Sequence, residues 1–357
     1  MTGIKYKISF CTVCMNRLYH LKETLPQNIR DNIEYSNVEF VVLNYNSRDD
    51  MDVWIKNKMK DYIDMGVLRY YRTEDPDSFH MSHAKNAVSK LATGDIICNV
   101  DADNFIRKGF ADYLNDMFSE KENIYARIDK NSTQRDCFGR IAMWKDDFTR
   151  LRGYDERMKG YGFDDYDLWN RLRNLGRTPS YIKKAFLKAL THNDNERIKN
   201  EENNKGIKSI YVKHINHAVS ELLYMFQGSN KYYKGTILIN KLVNSKSIDN
   251  LFPENHSYEY SNDLYGDSWE IGIWSENSLS IELKSNNVNS VLKLDKTNYG
   301  LKSMLDEGLY LLSDKVHIED MIMFFSQINN RIIMKQNTRD GVIQVNEISY
   351  GDINLLR

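Results

Sequence analysis

The chain has 357 residues, 41% hydrophobic and 12% aromatic, which is enough apolar material for a packed core and more than one domain. Its 49 Lys and Arg against 50 Asp and Glu leave a net charge of −1, which excludes the global field that a nucleic-acid polymer or an anionic membrane would call for. No apolar run approaches the ~20 residues needed to cross a bilayer, so no transmembrane segment is expected.

Taken in chain order, Ile8–Cys14 is expected to be a strand, since this short apolar run leads into Asn16-Arg17 and not into the small-residue cleavage site of a secretion signal. A cytoplasmic location follows as an expectation, with at most a peripheral association at the inner face of a membrane. Cys11 and Cys14 are spaced like a metal or redox pair, but residues three apart on a strand face opposite sides. Cys98 and Cys137 form no second pair of that spacing, so buried reduced thiols are expected.

Leu18–Ile33 reads as a helix and Glu39–Leu43 as a strand buried on both faces. Met51–Ile63 has helical spacing, Val67–Tyr71 is the next strand, Met81–Leu91 the next helix, and Ile96–Val100 the next strand. The alternation predicts an α/β fold, a mixed and mainly parallel sheet flanked by helices. A second block from about Ile124 to Asn204 mixes strands with a helix beginning near Asp164, and Ile210–Phe226 is expected to be helical. Beyond about residue 230 the texture changes. Trp269–Trp274 and Leu279–Leu283 alternate as antiparallel hairpins do, and Ile318–Ile328 suits a helix. The expected division is residues 1–228 for the main domain and 229–357 for a small accessory α+β domain. Aromatics of the latter, Tyr258, Tyr260, Tyr265, Trp269 and Trp274, are expected in its core.

Ligands on parallel sheets bind beyond the C-terminal ends of the strands. Asn16-Arg17, Asn44-Tyr45-Asn46 and Asp101-Ala102-Asp103 each follow a strand and should converge there. Two carboxylates at alternate positions, Asp101 and Asp103, can share a divalent cation and a ribose. His192 is a further candidate ligand for that ion, or else a surface histidine near a helix start. Asp164 and Asp165 stand at a helix N-terminus, where the dipole holds carboxylates ionised; they can serve as a base or merely as caps. Arg17, Lys85 and Asn86 are candidate contacts for a diphosphate and ribose. Cys14-Met-Asn-Arg17 carries no glycine, which excludes a dinucleotide-binding or glycine-rich phosphate loop after the first strand.

Together these clusters, over roughly residues 5–205, resemble the GT-A glycosyltransferases, the nucleotide-diphospho-sugar transferase fold. Lys85-Asn86 before Ala92-Thr-Gly-Asp95 and Asp101-Ala-Asp103 looks like family 2 enzymes. Gly153-Tyr-Asp-Glu156 followed by Tyr161-Gly-Phe-Asp-Asp-Tyr-Asp-Leu168 resembles the galactosyltransferase-type segment of β-1,4-galactosyltransferases and chondroitin polymerases, as does Asn16-Arg17 with His20-Leu21-Lys22. The resemblance implies an inverting transfer of a hexose or N-acetylhexosamine from a UDP-sugar to a hydroxyl of a saccharide or glycoconjugate acceptor, in bacterial surface polysaccharide or glycoconjugate synthesis. It implies Mn²⁺, or Mg²⁺, held by Asp103 and His192 with Asp101 on the ribose side of the same site. Asp165 falls on the family's catalytic base, Asp164 on its acceptor-binding acid, and Tyr161 on an aromatic face for a sugar; Arg17, Asn44, Lys85 and Asn86 complete the expected donor side. Phe163 replaces the second glycine of the family pattern, Asp164 is shorter than the usual Glu, and Ala189 stands where a methionine ligand is usual. Two rival readings are a retaining transferase of the N-acetylgalactosaminyltransferase type and a non-catalytic glycan-binding protein on a transferase scaffold.

Overall fold

A computed structural model of the protein describes residues 5–191, 194–216, 218–242, 258–266, 268–287, 291–303 and 306–356. The chain divides into two compact units, one of Met1–Asn193 with Ile333–Arg357 and one of Asp194–Ile332. The division expected after residue 228 therefore falls inside the second unit, and residues 333–357 belong to the first.

The strands of the first unit are β1 (Ile8–Cys14), β2 (Val38–Tyr45), β3 (Leu68–Thr73), β4 (Ile96–Asn99), β5 (Asn104–Phe105), β6 (Ile124–Arg127), β7 (Ala142–Trp144), β8 (Thr178–Tyr181) and β9 (Lys188–Ala189). Its helices are α1 (Leu18–Asn32), α2 (Met51–Lys58), α3 (Lys60–Asp64), α4 (Met81–Leu91), α5 (Phe110–Glu120), α6 (Lys145–Leu151) and α7 (Asp164–Asn174). The main sheet runs β3-β2-β1-β4-β7-β6-β8. All its pairings are parallel except those of β7 with β4 and β6. The mixed, mainly parallel sheet expected from the alternation is present.

Both faces of this sheet are covered, which explains why β2 is buried at every position. Phe10, Phe40 and Val42 face a core with α1, α2 and α5, while Cys11, Val41 and Leu43 face a second core with α4, α6 and α7. The helix expected over Met51–Ile63 is interrupted at Met59, whose φ of −116° and ψ of 9° break the ladder while leaving the apolar spacing intact. All four cysteines are free and buried, as expected. Burial pushes the Cys14 thiol up to about 12 and that of Cys11 higher still, so neither is a reactive thiolate.

One buried acid fastens β1 and β2 to the link between α4 and β4. Glu39 accepts hydrogen bonds from Ser9 Oγ (2.6 Å), Thr93 N (2.6 Å) and Thr93 Oγ1 (2.8 Å), and pairs with Lys7 (3.0 Å). Burial alone would raise its pKa, but these donors outweigh burial and hold it at about 2. A depressed folded-state pKa stabilises above the unfolded value near 4.3 and the contribution is lost as pH falls towards 2. Glu39→Gln is expected to cost roughly 2–3 kcal/mol at pH 7, with the deficit falling to about half of that at pH 3; urea unfolding at pH 7 and pH 3 checks it.

In the second unit α8 (Asp194–Ile198) and α9 (Glu202–Gly206) precede β10 (Ile207–Asn216), β11 (Val219–Phe226), β12 (Lys231–Leu242), β13 (Tyr258–Leu264), β14 (Glu270–Glu276), β15 (Ser280–Ser285), β16 (Val291–Thr297), β17 (Gly300–Ser303) and β18 (Asp306–Leu311). The order β11-β10-β18-β17-β16-β15-β14-β12 closes where β12 also pairs with β11, and β13 adds to β12. Tyr211, Leu223, Met225, Tyr232, Trp274, Ile281, Leu283, Leu294, Leu301 and Leu309, drawn from all eight strands of the ring, fill its interior. Helix α10 (Lys315–Arg339) starts in this unit and packs Met321, Ile322, Phe325 and Ile328 against Tyr224 and Trp269 outside the ring.

The helix expected over Ile210–Phe226 is thus two antiparallel strands. Ile210, Val212, Leu222 and Tyr224 feed one core while Tyr211, Leu223 and Met225 feed the other. Because both faces are apolar, the period of two is hidden in the sequence. The hairpin of β14 and β15 and the helix over Ile318–Ile328 are found as expected, and Trp269 and Trp274 are core residues. Tyr265 is exposed, and the side chains of Tyr258 and Tyr260 lie outside the described residues.

Candidate active site

The polar segments after β1, β2 and β4 do meet at one edge of the sheet. Asn16 N donates to Ser47 Oγ (2.9 Å) and its Oδ1 accepts from Arg48 N (2.7 Å), which ties the loop after β1 to that after β2. Thr12 Oγ1 donates to Val100 O (2.8 Å), fastening β1 to the segment that carries Asp101 and Asp103. Asn16 and Asn46 both take positive φ, a conformation that asparagine tolerates and that ends a strand sharply. Arg17 stands at the N-cap position of α1, half-buried on this edge.

Asp101 and Asp103 are held by neighbouring amides. Asn99 Nδ2 donates to Asp101 Oδ1 (3.1 Å) and to Gly139 O (2.8 Å), and Asn104 Nδ2 donates to Asp103 Oδ1 (2.7 Å). A Cβ on Gly139 would stand 2.6 Å from Asp101 Oδ2, so a side chain there would displace this carboxylate. Burial raises the Asp101 pKa and the charge of Asp103 adds to it, while Lys85, Asn99 and Arg140 oppose the rise.

Arg140, fully buried, donates to Asn104 Oδ1 (2.8 Å), Phe105 O (3.1 Å) and Phe186 O. It is a fixed positive charge beside the two carboxylates, and sequence reasoning missed it. The signal was an arginine placed directly before the apolar strand Ile141–Met143, where a charge needs a reason.

β5 pairs antiparallel with β9, and Leu190 N donates to Asp103 O (2.9 Å). The chain is thereby brought alongside Asp103 two residues before His192, which itself lies outside the described residues. Ala189 sits opposite Asn104 in that ladder. Among the described residues no group of three or more His, Cys, Asp or Glu forms a metal cage. Two oxygen donors flanked by amides fit a Mg²⁺ or Mn²⁺ ion that keeps positions open for phosphate and water.

The second acidic cluster lies at the start of α7. Lys85 Nζ donates to Asp164 Oδ2 (2.7 Å) and Asp165 Oδ1 (2.9 Å), and lies 4.8 Å from the centroid of the Tyr154 ring. Asp164 is 5% exposed and Asp165 16%, so only Asp165 offers a carboxylate edge to an incoming group. Burial raises the Asp165 pKa to about 7, and the charges of Asp164 and Asp101 add to the rise against the pull of Lys85. Asp101 and Asp165, 64 positions apart, thus lie within electrostatic reach of one another. The Tyr154 hydroxyl is buried among the same charges with no protein partner among the described residues, a site feature that the Gly153-Tyr-Asp-Glu156 stretch could have flagged.

Three expected donor contacts have other partners. Lys85 is spent on Asp164 and Asp165. Asn86, fully buried, donates to Tyr154 O (2.9 Å) and Glu156 Oε1 (2.8 Å) and accepts from Tyr154 N (2.7 Å). Asn44, also buried, donates to the Tyr70 hydroxyl (3.0 Å) and accepts from Ser47 N (2.8 Å). Asn44 was a candidate because it follows a strand, and Lys85 and Asn86, both on helix α4, because of the family resemblance; in the structure the side chains of all three are bonded within the protein. Tyr161 is half-buried in the loop Gly160–Phe163, where Gly160, Gly162 and Phe163 all take positive φ. Phe163, at φ 67°, occupies a conformation that suits glycine, which accounts for the glycine of the pattern it departs from.

No helix among the described residues is long and apolar enough to cross a membrane. No curated protein sequence matches the chain. Among solved structures it is similar to a mannosyltransferase from Pyrobaculum calidifontis in complex with GDP-Man and Mn²⁺ (16% identity, TM-score 0.44, 53% of this chain and 58% of that one). It is also similar to residues 1–349 of TarS from S. aureus with UDP-GlcNAc (15%, 0.44, 54% and 60%) and to the catalytic domain of Drosophila β1,4-galactosyltransferase 7 with xylobiose (14%, 0.37, 55% and 75%). The chain spans about six tenths of the length of the first two. Residues 124–193, which carry Tyr154, Tyr161, Asp164 and Asp165 and lead to His192, match the family described as the N-terminal domain of galactosyltransferase.

Proposed function

We propose that the first unit is a GT-A glycosyltransferase that moves a hexose or N-acetylhexosamine from a UDP-sugar to a hydroxyl of a saccharide or glycoconjugate acceptor, with inversion. The observation that carries this reading is the meeting of two acidic clusters: Asp101-Ala-Asp103 beyond β4, and Asp164-Asp165 at the start of α7, within reach of each other's charge. The match of residues 124–193 to a galactosyltransferase domain supports it.

In this reading Asp101 meets the ribose, and Asp103, with His192, holds Mn²⁺ or Mg²⁺. A divalent ion there supplies neutralisation of the negative charge that builds on the departing diphosphate. Arg17 adds positive charge at the same edge. Tyr161 offers its ring to the transferred or accepting sugar, and Asp164 binds the acceptor. Asp165 takes the proton of the acceptor hydroxyl as that oxygen bonds to the anomeric carbon, and the bond from that carbon to the diphosphate oxygen breaks. A single displacement inverts the anomeric centre.

The test is a screen of nucleotide sugars by nucleoside diphosphate release, with Mn²⁺ present and after chelation. A UDP-sugar is expected to be turned over only with the metal. Asp103→Asn is expected to weaken Mn²⁺ at least ~10-fold, read by titrating the ion against activity. A product of retained anomeric configuration by NMR would replace the inverting mechanism, and release indifferent to metal and to Asp103→Asn would end the reading.

A further inference from the structure

Residues 333–357 bring to the first unit a set of contacts centred on Asn337. This side chain is buried, and its amide nitrogen donates to two carboxylates, Asp155 Oδ2 at 2.9 Å and Asp167 Oδ1 at 2.8 Å. Its Oδ1 accepts from Arg157 Nη2 at 2.8 Å. Each carboxylate also has its own guanidinium, Arg157 on Asp155 (2.6 Å) and Arg171 on Asp167 (2.7 Å).

Asp155 and Asp167 bracket the segment that holds Tyr161, Asp164 and Asp165, and Asp167 lies in the first turn of α7 with Asp164 and Asp165. Two buried carboxylates facing one another repel. A neutral group with two N–H donors is what can sit between them: a carboxylate has none and a hydroxyl has one. The same segment is held farther along the chain. Asn346 accepts from Glu156 N (2.9 Å) and donates to Arg152 O (2.7 Å) and Tyr154 O (2.5 Å), while Gly351 N donates to Glu156 Oε1 (2.7 Å).

We propose that Asn337 is a positioning residue for the reaction: by tying Asp155 to Asp167 it fixes both ends of the acidic loop and so sets where Asp165 meets the acceptor hydroxyl. The inference rests on the reading of Asp165 as the base. Asn337 touches neither sugar nor nucleotide. Its removal therefore acts on the rate of transfer and not on the affinity for donor.

The test uses the full chain, with Asn337→Ala, Asn337→Ser and Thr338→Ala. The last removes a hydroxyl at an exposed contact, which accepts from Asn170 Nδ2 at 3.1 Å. Steady-state kinetics are measured beside far-UV circular dichroism and the thermal midpoint. Asn337→Ala is expected to lower kcat roughly 30-fold or more, since a small misplacement of a reacting group costs that much, with the donor KM within roughly threefold. Asn337→Ser, which keeps one donor, falls between it and the parent. Thr338→Ala stays within about twofold, as exposed contacts do.

A kcat for Asn337→Ala within about threefold of the parent overturns the proposal, as does a loss that only tracks the unfolded fraction. If the alanine variant does not fold, a serine variant with parental kcat overturns it. Retained turnover in Asp165→Asn would instead remove the base reading, and in that case the Asn337 variants still report separately on the loop.

Discussion

Asp165→Asn is expected to abolish transfer, lowering kcat by ~10²–10⁴-fold while leaving nucleotide binding near that of the parent. The amide keeps the shape and one acceptor for Lys85, so the ion pair of Lys85 with Asp164 at 2.7 Å persists and the loop stays in place. What is lost is the oxygen that takes the proton. With the Asp165 pKa raised to about 7 by burial, the base is half-ionised near neutrality. In the parent, kcat should therefore climb about tenfold per unit as pH rises towards 7 and level off above it. The residual rate of the variant should lose that limb. Rate profiles of both proteins, with nucleotide affinity measured alongside by calorimetry, check the prediction; a variant with parental turnover contradicts it.

Lys85→Met should be the most destabilising of these substitutions. The side chain is buried and neutralises two carboxylates that are themselves almost out of water. Methionine fills similar volume but leaves both acids unpaired, and breaking a buried pair in this way costs about 3–5 kcal/mol. For a unit of this size that corresponds to a midpoint lower by on the order of 10 °C. The loss should depend on pH with a definite sign. Without Lys85 the carboxyl pKa of Asp165 rises further, and a group whose folded-state pKa is raised stabilises below its unfolded value and loses that contribution as pH climbs through the folded one. The deficit against the parent is thus largest above pH ~7 and narrows towards pH ~4–5. Activity at neutral pH falls as well, because Asp165 is then held protonated. Thermal unfolding at several pH values separates this account from simple loss of packing, for which the deficit would be independent of pH.

The α/β half was legible because its signals are local. β1 and α4 fall where their apolar runs and spacing place them, and a strand buried on both faces, such as β2, is a continuous apolar run. Asp101, Asp103, Asp164 and Asp165 stood out as candidates because carboxylates directly after a strand or opening a helix are conspicuous, and the structure places them there. The role of Lys85 was not legible. A lysine in a helix looks like a solvated charge, and only the fold reveals that residue 85 meets residues 164 and 165. The protein partners of Asn44 and Asn86 were not legible either, since an amide that closes a loop and one that meets a ligand look alike in a sequence. The barrel was hidden because β10 and β11 bury both faces, which removes the alternation that marks a strand. Asn337 gave no signal at all, lying in a long helix far along the chain from its partners.

The first unit is built from two stretches of sequence separated by the 139 residues of Asp194–Ile332. Asp155 and Asp167 are synthesised well before Asn337, and at ~5–20 residues per second the ribosome spends roughly 8–34 s on the stretch between Asp167 and Asn337. During that interval the nascent acidic loop lacks the amide that separates its carboxylates, whereas the barrel strands can already pair with one another. Maturation of the reactive edge is thereby deferred until translation has passed Asn337.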